Sequence, residues 1–243
     1  MGEAFAWGLV AGGSLVLGAL IALRFRISEE LLGLVMAFGS GVLISAVAYE
    51  LVGEAFDTAS GGGGVAAGLF AGALTFFFGD MYIEQMGGAN RKSSGGEQAS
   101  GSALAIVLGT VLDGIPESAV IGLSLVGGGG VSAAVIVAVF VSNLPEAIAG
   151  TTGLSQAGWP RRRILGMWTL VMLVSGLSAL AGFGLLDDAS PNVIAFVLSF
   201  AGGALLTMLA DTMMPEAFKH GGKLVGLATT LGFALAFAIS SLE

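Results

Sequence analysis

Long, nearly uncharged apolar runs separated by short polar or glycine-rich gaps constrain this chain more than any other feature. They lie near residues 4–24, 31–54, 62–79, 102–125, 131–153, 163–186, 191–214 and 222–242. About 20 apolar residues cross a bilayer core as a helix, and a helix satisfies its own backbone hydrogen bonds where no water is available. The pattern predicts an all-α integral membrane protein of eight transmembrane helices, with residues 1–243 forming a single transmembrane domain whose surroundings are lipid. Composition agrees, since 55% of residues are hydrophobic and only 11% charged, far from the balance of a soluble domain. The longest polar stretch, a cytoplasmic loop at about residues 80–101, is too short for a nucleotide-binding domain, and no G-x-x-x-x-G-K-[ST] run occurs. No enzymatic activity, organic cofactor or nucleic-acid partner is expected.

All nine Lys and Arg residues fall in alternate connections: Arg24 and Arg26, then Arg91 and Lys92, then Arg161, Arg162 and Arg163, then Lys219 and Lys223. The positive-inside rule makes those connections cytoplasmic and puts both termini outside, as a multi-pass protein of an inner or plasma membrane. No basic residue precedes the first run, the reverse of a secretory signal peptide, so it reads as a retained helix. The opposite connections carry Asp57, Asp187 and Asp188 without a base, a face that attracts cations weakly. Residues 61–64 and 127–130 and the Gly95-Gly96 pair read as flexible connectors, and the 91–101 stretch as a mobile loop. Gly64, Gly68 and Gly72 repeat every fourth residue, a spacing that lets membrane helices approach closely.

Three of the five prolines precede a glutamate in or at the end of an apolar run: Pro116-Glu117, Pro145-Glu146 and Pro215-Glu216. Ionisable groups at membrane depth are costly unless they face a cavity or a partner, so such carboxylates are presumed functional. The fourth run reads Asp113-Gly114-Ile115-Pro116-Glu117-Ser118 and the fifth Ser142-Asn143-Leu144-Pro145-Glu146-Ala147. In each, the first and fifth residues share a helix face. Each proline lacks the N–H that would bond the carbonyl four residues back, Leu112 or Val141, and a freed carbonyl can face a cation. With the two helices antiparallel about residues 127–130, Asp113 falls at the depth of Glu146, and Glu117 at that of Ser142. Asp113, Glu117, Ser142, Asn143 and Glu146 thus form a candidate oxygen-donor site near mid-membrane. Three anions this close repel one another unless a divalent cation or protons compensate them. With no cysteine and one histidine, any metal is held mainly by oxygen.

A second echo pairs Glu54-Ala55-Phe56 at the end of the second run with Glu216-Ala217-Phe218 at the end of the seventh. Those runs point in opposite directions, which suggests an inverted 3+2+3 arrangement with helices 4 and 5 central. Glu50 and Glu54 become candidate steps on an outer approach, Asp211 and Glu216 on an inner one, although carboxylates at helix ends are also simply solvated. His220, beside Lys219, reads as a solvated side chain. Met167, Met172, Met208, Met213 and Met214 read as packing rather than soft ligands.

These motifs resemble the ZIP (Zrt/Irt-like) family of divalent metal transporters, whose members have eight spans, both termini outside, a variable loop between spans three and four, and paired x-x-x-P-E signatures in spans four and five. The similarity covers nearly the whole chain and is most specific at residues 113–122, 142–150 and 211–222, where Met213-Met214-Pro215-Glu216 fits the family's seventh span. The resemblance implies import of ions such as zinc, manganese or iron into the cytoplasm, with cadmium as a further candidate substrate, and Glu117 and Glu146 as shared ligands. A homodimer is a candidate assembly. The chain reads as a divergent prokaryotic-type member. Asp113-Gly114 stands where the family usually has His-Asn, Ser142 replaces a Gln or His donor, and the sixth span carries no acid, which argues against a two-metal centre. Carboxylate in place of imidazole shifts preference from zinc toward manganese, ferrous iron or even magnesium, whereas the general affinity order still favours zinc. Two other functions fit the same residues: a proton-coupled carrier of another small solute, and a non-transporting membrane protein built on the same frame.

Overall fold

The computed structural model describes residues 1–59, 61–126, 130–186 and 188–242. Glycines 127–129 of the expected turn, and Asp187, lie outside the described residues. Among the described residues the architecture is all-helical, without strands. α1 is Gly2–Arg24. α2, Glu29–Ala46, continues through a π-helical turn, Val47–Gly53, into Glu54–Thr58. α3, Gly62–Ile83, continues into a second π-helical turn, Glu84–Gly88. α4 is Ala103–Leu123, α5 Ala133–Gln156 and α6 Arg161–Leu186. α7, Pro191–Met208, passes through a third π-helical turn, Leu209–Met213, into Met214–Gly221, and α8 is Val225–Ser240.

Local chemistry explains several of these ends. The hydroxyls of Ser28, Ser102 and Ser132 accept hydrogen bonds from the backbone N–H of Leu31, Ala105 and Val135, and Pro191 opens α7 where no N–H is needed. Among the described residues, seven helical runs are long and apolar enough to cross a membrane, the last extending over Pro191–Ser240. That run is broken at Gly222, whose φ of 58° favours glycine.

The sequence placed the end of the third run at residue 79, but α3 runs on through Asp80 to Ile83. Asp80 is buried and ion-paired, so a polar residue that reads as the start of a loop belongs to the helix. The connection is therefore residues 89–102. It is not a detached mobile loop, because Arg91, Lys92, Ser93, Ser94 and Gln98 are all buried. Gly96, at φ 79°, admits the chain to a short 3-10 turn, Glu97–Ser100, that seats the segment against the bundle.

α2 packs along α8 in the same direction, with Gly41 against Thr229 and Tyr49 against Phe237, while Gly33 near the start of α2 meets Gly221 at the end of α7. α3 packs on α7, α6 on both α1 and α4, and α5 on α1 and α2. The glycine repeat in α3 serves this packing at two of its three positions: Gly68 meets Ser199 and Gly72 the Phe200 carbonyl, whereas Gly64 faces open space. Gly203 reciprocates against the Leu69 carbonyl, so the α3 and α7 backbones touch. A methyl group at Gly72 would strike the Phe200 carbonyl, which no side-chain rotation relieves. Gly72→Ala is expected to cost about 1–3 kcal/mol, the range for overpacking. Thermal unfolding of the purified variant checks this, and an unchanged midpoint would contradict the close contact. Met208 and Met213 lie in one apolar cluster and Met167 in another, as packing residues.

Candidate functional site

The five residues singled out in α4 and α5 are all interior. Relative exposure is 2% for Asp113, 1% for Glu117, 0% for Ser142, 3% for Asn143 and 4% for Glu146. Two prolines sit inside the helices, Pro116 between the α4 acids and Pro145 just before Glu146. The Ser142 hydroxyl donates to the Val139 carbonyl at 3.0 Å, which leaves its oxygen lone pairs uncommitted by that bond.

What converges on these carboxylates is the connection between α3 and α4. The Arg91 guanidinium binds Asp113 through Nε at 2.8 Å and Nη2 at 2.9 Å, and Nη2 also reaches Asp80 on α3 at 2.5 Å. Lys92 Nζ lies 3.3 Å from Asp113 and 3.2 Å from Glu146, bridging α4 and α5. The register read from the sequence had placed Asp113 and Glu146 at one depth, and a single ammonium now touches both. Burial, the largest single effect, would pull both loop cations down in pKa, but the carboxylates together outweigh it: Asp113 with Asp80 at Arg91, and Asp113 with Glu146 at Lys92. Both end above their usual values and remain charged.

The two cations are held differently. Arg91 makes a bidentate, charge-assisted pair. The Lys92 ammonium instead contacts two carboxylates singly, Asp113 at 3.3 Å and Glu146 at 3.2 Å, with no second bond to either. Glu117 stands apart: it interacts electrostatically with Glu146, Lys92 and Asp113, yet both of its oxygens are buried without a hydrogen-bond partner among the described residues. In this conformation no three acidic or histidine side chains among the described residues are close enough together to hold a metal ion. The loop cations sit between them instead.

The site has unlike sides. Toward one end of the bundle Val42, Val120, Ile121, Val135, Val139 and Leu205 form a continuous apolar cluster. Toward the end that carries the 89–102 connection, a cavity of about 180 Å³ is lined by Glu84, Arg91, Lys92, Asp211, Glu216 and Lys219. Asp211 and Glu216, the candidate inner steps, therefore share one cavity with the loop cations. Asp211 is exposed. Glu216 accepts a hydrogen bond from the Ser94 backbone N–H at 3.1 Å and pairs with His220 at 3.1 Å. His220 is not simply solvated, since its other ring nitrogen lies 3.3 Å from Glu29. Of the candidate outer steps, Glu50 accepts from Ser132 at 3.2 Å and Ser240 at 2.5 Å, and Glu54 is exposed. Glu50 and Asp211 each lie in a π-helical turn, an irregularity common at functional sites, and each turn precedes one copy of the Glu-Ala-Phe echo.

Sequence reasoning missed Asp80, Arg91 and Lys92 as parts of the site. The available signal was Asp80, immediately after Phe76-Phe77-Phe78-Gly79, where one more turn of helix puts an acid on the end of an apolar run beside a loop with two bases.

No family model matches the chain. It is similar to a provisionally named zinc transporter of Arabidopsis thaliana, 29% identical over 230 residues, which covers 93% of this chain and 36% of that protein. The chain thus spans about a third of that relative's length. It is also similar to the zinc transporter ZIP11 of Homo sapiens, 23% identical over 330 residues, with 98% of this chain and 95% of the human protein covered.

Proposed function

We propose that this relative of the ZIP transporters carries a divalent metal cation across the bilayer, with Asp113, Glu117, Ser142, Asn143 and Glu146 replacing the ion's water at mid-membrane. Glu117 carries the reading. Holding an unpaired carboxylate at membrane depth costs about 3 kcal/mol, and a passing cation is what would make such a group useful. Its neighbours Glu146 and Asp113 supply the remaining charge.

The eight-helix, inverted arrangement belongs to the same proposal. Gly222 separates α7 from α8, and α8 runs alongside α2 in the same direction as a further crossing. A repeat relating α1, α2 and α3 to α6, α7 and α8 exchanges the α2·α8 contact with α7·α3, and α1·α5 with α6·α4, around the central α4 and α5. The matched π-helical turns fit that symmetry. Positive-inside orientation makes the cavity side cytoplasmic, so the apolar cluster seals the outer half of an inward-opening state and Asp211 and Glu216 mark the exit. Import then follows from alternating access. Among ions, the carboxylate-rich set accommodates zinc, manganese, ferrous iron or cadmium.

Uptake of each of these ions into proteoliposomes is the direct test. Metal at about 100 times Kd should also stabilise the folded protein by about 2.7 kcal/mol. If pH shifts the unfolding midpoint while no metal does, a proton-coupled carrier of another solute is the better reading. One observation favours a non-transporting relative: Arg91 and Lys92 already neutralise Asp113 and Glu146. Normal folding with no uptake of any divalent ion would decide for it.

A further inference from the structure

The 89–102 connection brings two cations into the place the cargo would occupy, and the groove receiving it is shaped for it. Gly109 on α4 and Gly150 and Gly153 on α5 form its floor. A methyl group at Gly109 would strike the Arg91 side chain, and one at Gly153 the Ser93 carbonyl and the Gln98 amide; at Gly150 it would come within 3.3 Å of the Arg91 carbonyl. Within the segment, Gln98 donates to the Ser93 carbonyl and Ser93 to Glu97. Ser94 is tied to Glu216 at 3.1 Å, and Lys219 to Glu97 at 3.1 Å.

We propose that the Arg91-Lys92 segment is a tethered stand-in for the cargo: it occupies the Asp113 and Glu146 carboxylates beside Glu117, and withdraws from its glycine floor when a divalent ion takes its place. The inference rests on the carboxylate site proposed above. Asp80, Asp113, Glu117 and Glu146 would be costly to leave together without counter-charge in a low-dielectric interior, and a carrier that releases its ion must still reset. The loop supplies that counter-charge. Arg91 is the firm contact, through three guanidinium–carboxylate bonds. Lys92 is the exchangeable one, with single and longer contacts of 3.3 Å to Asp113 and 3.2 Å to Glu146, whereas the Glu117 oxygens have no hydrogen-bond partner among the described residues. A divalent ion binding all three carboxylates gains oxygens that Lys92 leaves unused. Withdrawal also clears the cavity that Arg91 and Lys92 line together with Asp211 and Glu216. Because cargo and loop compete, apparent metal affinity is reduced by the fraction of molecules in which the loop is docked.

The chain has no cysteine, so Ser94→Cys introduces a single thiol at a position buried in the docked loop. In nanodiscs, the protein is labelled with a maleimide without metal, in otherwise native and Gly153→Ala backgrounds. Zn²⁺ affinity is measured by calorimetry on the cysteine-free parent and on Gly153→Ala and Lys92→Gln. Gly153→Ala removes no charge but obstructs the docked backbone. The expected result is labelling about tenfold faster in Gly153→Ala, and Zn²⁺ bound about tenfold more tightly by both Gly153→Ala and Lys92→Gln. If Lys92→Gln binds Zn²⁺ no more tightly than the parent, the stand-in is overturned however Gly153→Ala behaves, and the transporter reading survives. Faster labelling with unchanged Zn²⁺ affinity overturns it as well. If neither the parent nor either variant binds Zn²⁺, Mn²⁺, Fe²⁺ or Cd²⁺, the carboxylate site itself fails and this inference falls with it.

Discussion

Replacing Glu117 and Glu146 together by alanine is expected to reduce metal uptake in proteoliposomes at least a hundredfold, to the background of empty vesicles, while the protein still folds. Both side chains are buried, on α4 and α5, and they interact with each other and with Lys92. Removing them takes two of three anions from a place where water cannot substitute as ligand. A hundredfold loss corresponds to about 2.7 kcal/mol of binding free energy, well within what two charged ligands supply in a desolvated site. Folding should survive, because Glu117 makes no hydrogen bond that the fold would miss and Lys92, on losing Glu146, keeps Asp113 at 3.3 Å as its counter-charge. Glu117→Gln alone should stabilise the folded protein by about 1–3 kcal/mol, seen as a higher unfolding midpoint, since a neutral amide is less costly to bury than an unpaired carboxylate. Loss of transport together with a gain in stability is what a cargo ligand predicts; a purely structural acid predicts the opposite. Uptake by the double variant equal to that of the parent would remove the carboxylate site from consideration.

Arg91→Ala is expected to be the most destabilising single change in the loop, at about 3–5 kcal/mol, the range for breaking a buried ion pair from one side. The guanidinium holds Asp113 at 2.8 Å and 2.9 Å and Asp80 at 2.5 Å, so its loss strands two buried acids at once. Asp80→Asn combined with Arg91→Gln should lose less than Arg91→Ala, because one of the stranded charges is removed with its partner. Saturating metal should restore part of the loss in Arg91→Ala, since a bound cation again compensates Asp113. Thermal melts of the purified variants in detergent, with and without Zn²⁺, separate these outcomes. A change below about 0.5 kcal/mol in Arg91→Ala, typical of an exposed residue, would show that the guanidinium is not buried between the two acids.

Much of the fold was legible in the sequence because its signals are local. The apolar runs at 4–24, 102–125 and 163–186 reappear nearly unchanged as α1, α4 and α6, since hydrocarbon thickness sets helix length. Serines at residues 28, 102 and 132 mark helix starts by the same local chemistry. At Asp80 the reading failed: that residue looked like the beginning of a loop because its partner is Arg91, 11 residues on and beyond a π-helical turn. His220 looked solvated because neighbouring Lys219 was visible and distant Glu29 was not. Likewise Gly64, Gly68 and Gly72 share a helix face, but only contact with α7 shows which of them touch another backbone.

The sequence by itself determined an all-helical membrane bundle and two proline-flanked acids aimed inward from α4 and α5, because hydrophobic length and helical periodicity act within a turn or two of chain. What only the tertiary structure decided is which charges meet. Lys92 reaches Glu146 across 54 positions, and nothing local marks that partner. Ion pairing depends on through-space distance in a medium of low dielectric constant, where a loop folded back over three glycines brings two bases to the acids. The same bases read as ordinary cytoplasmic charges when only their order along the chain is known.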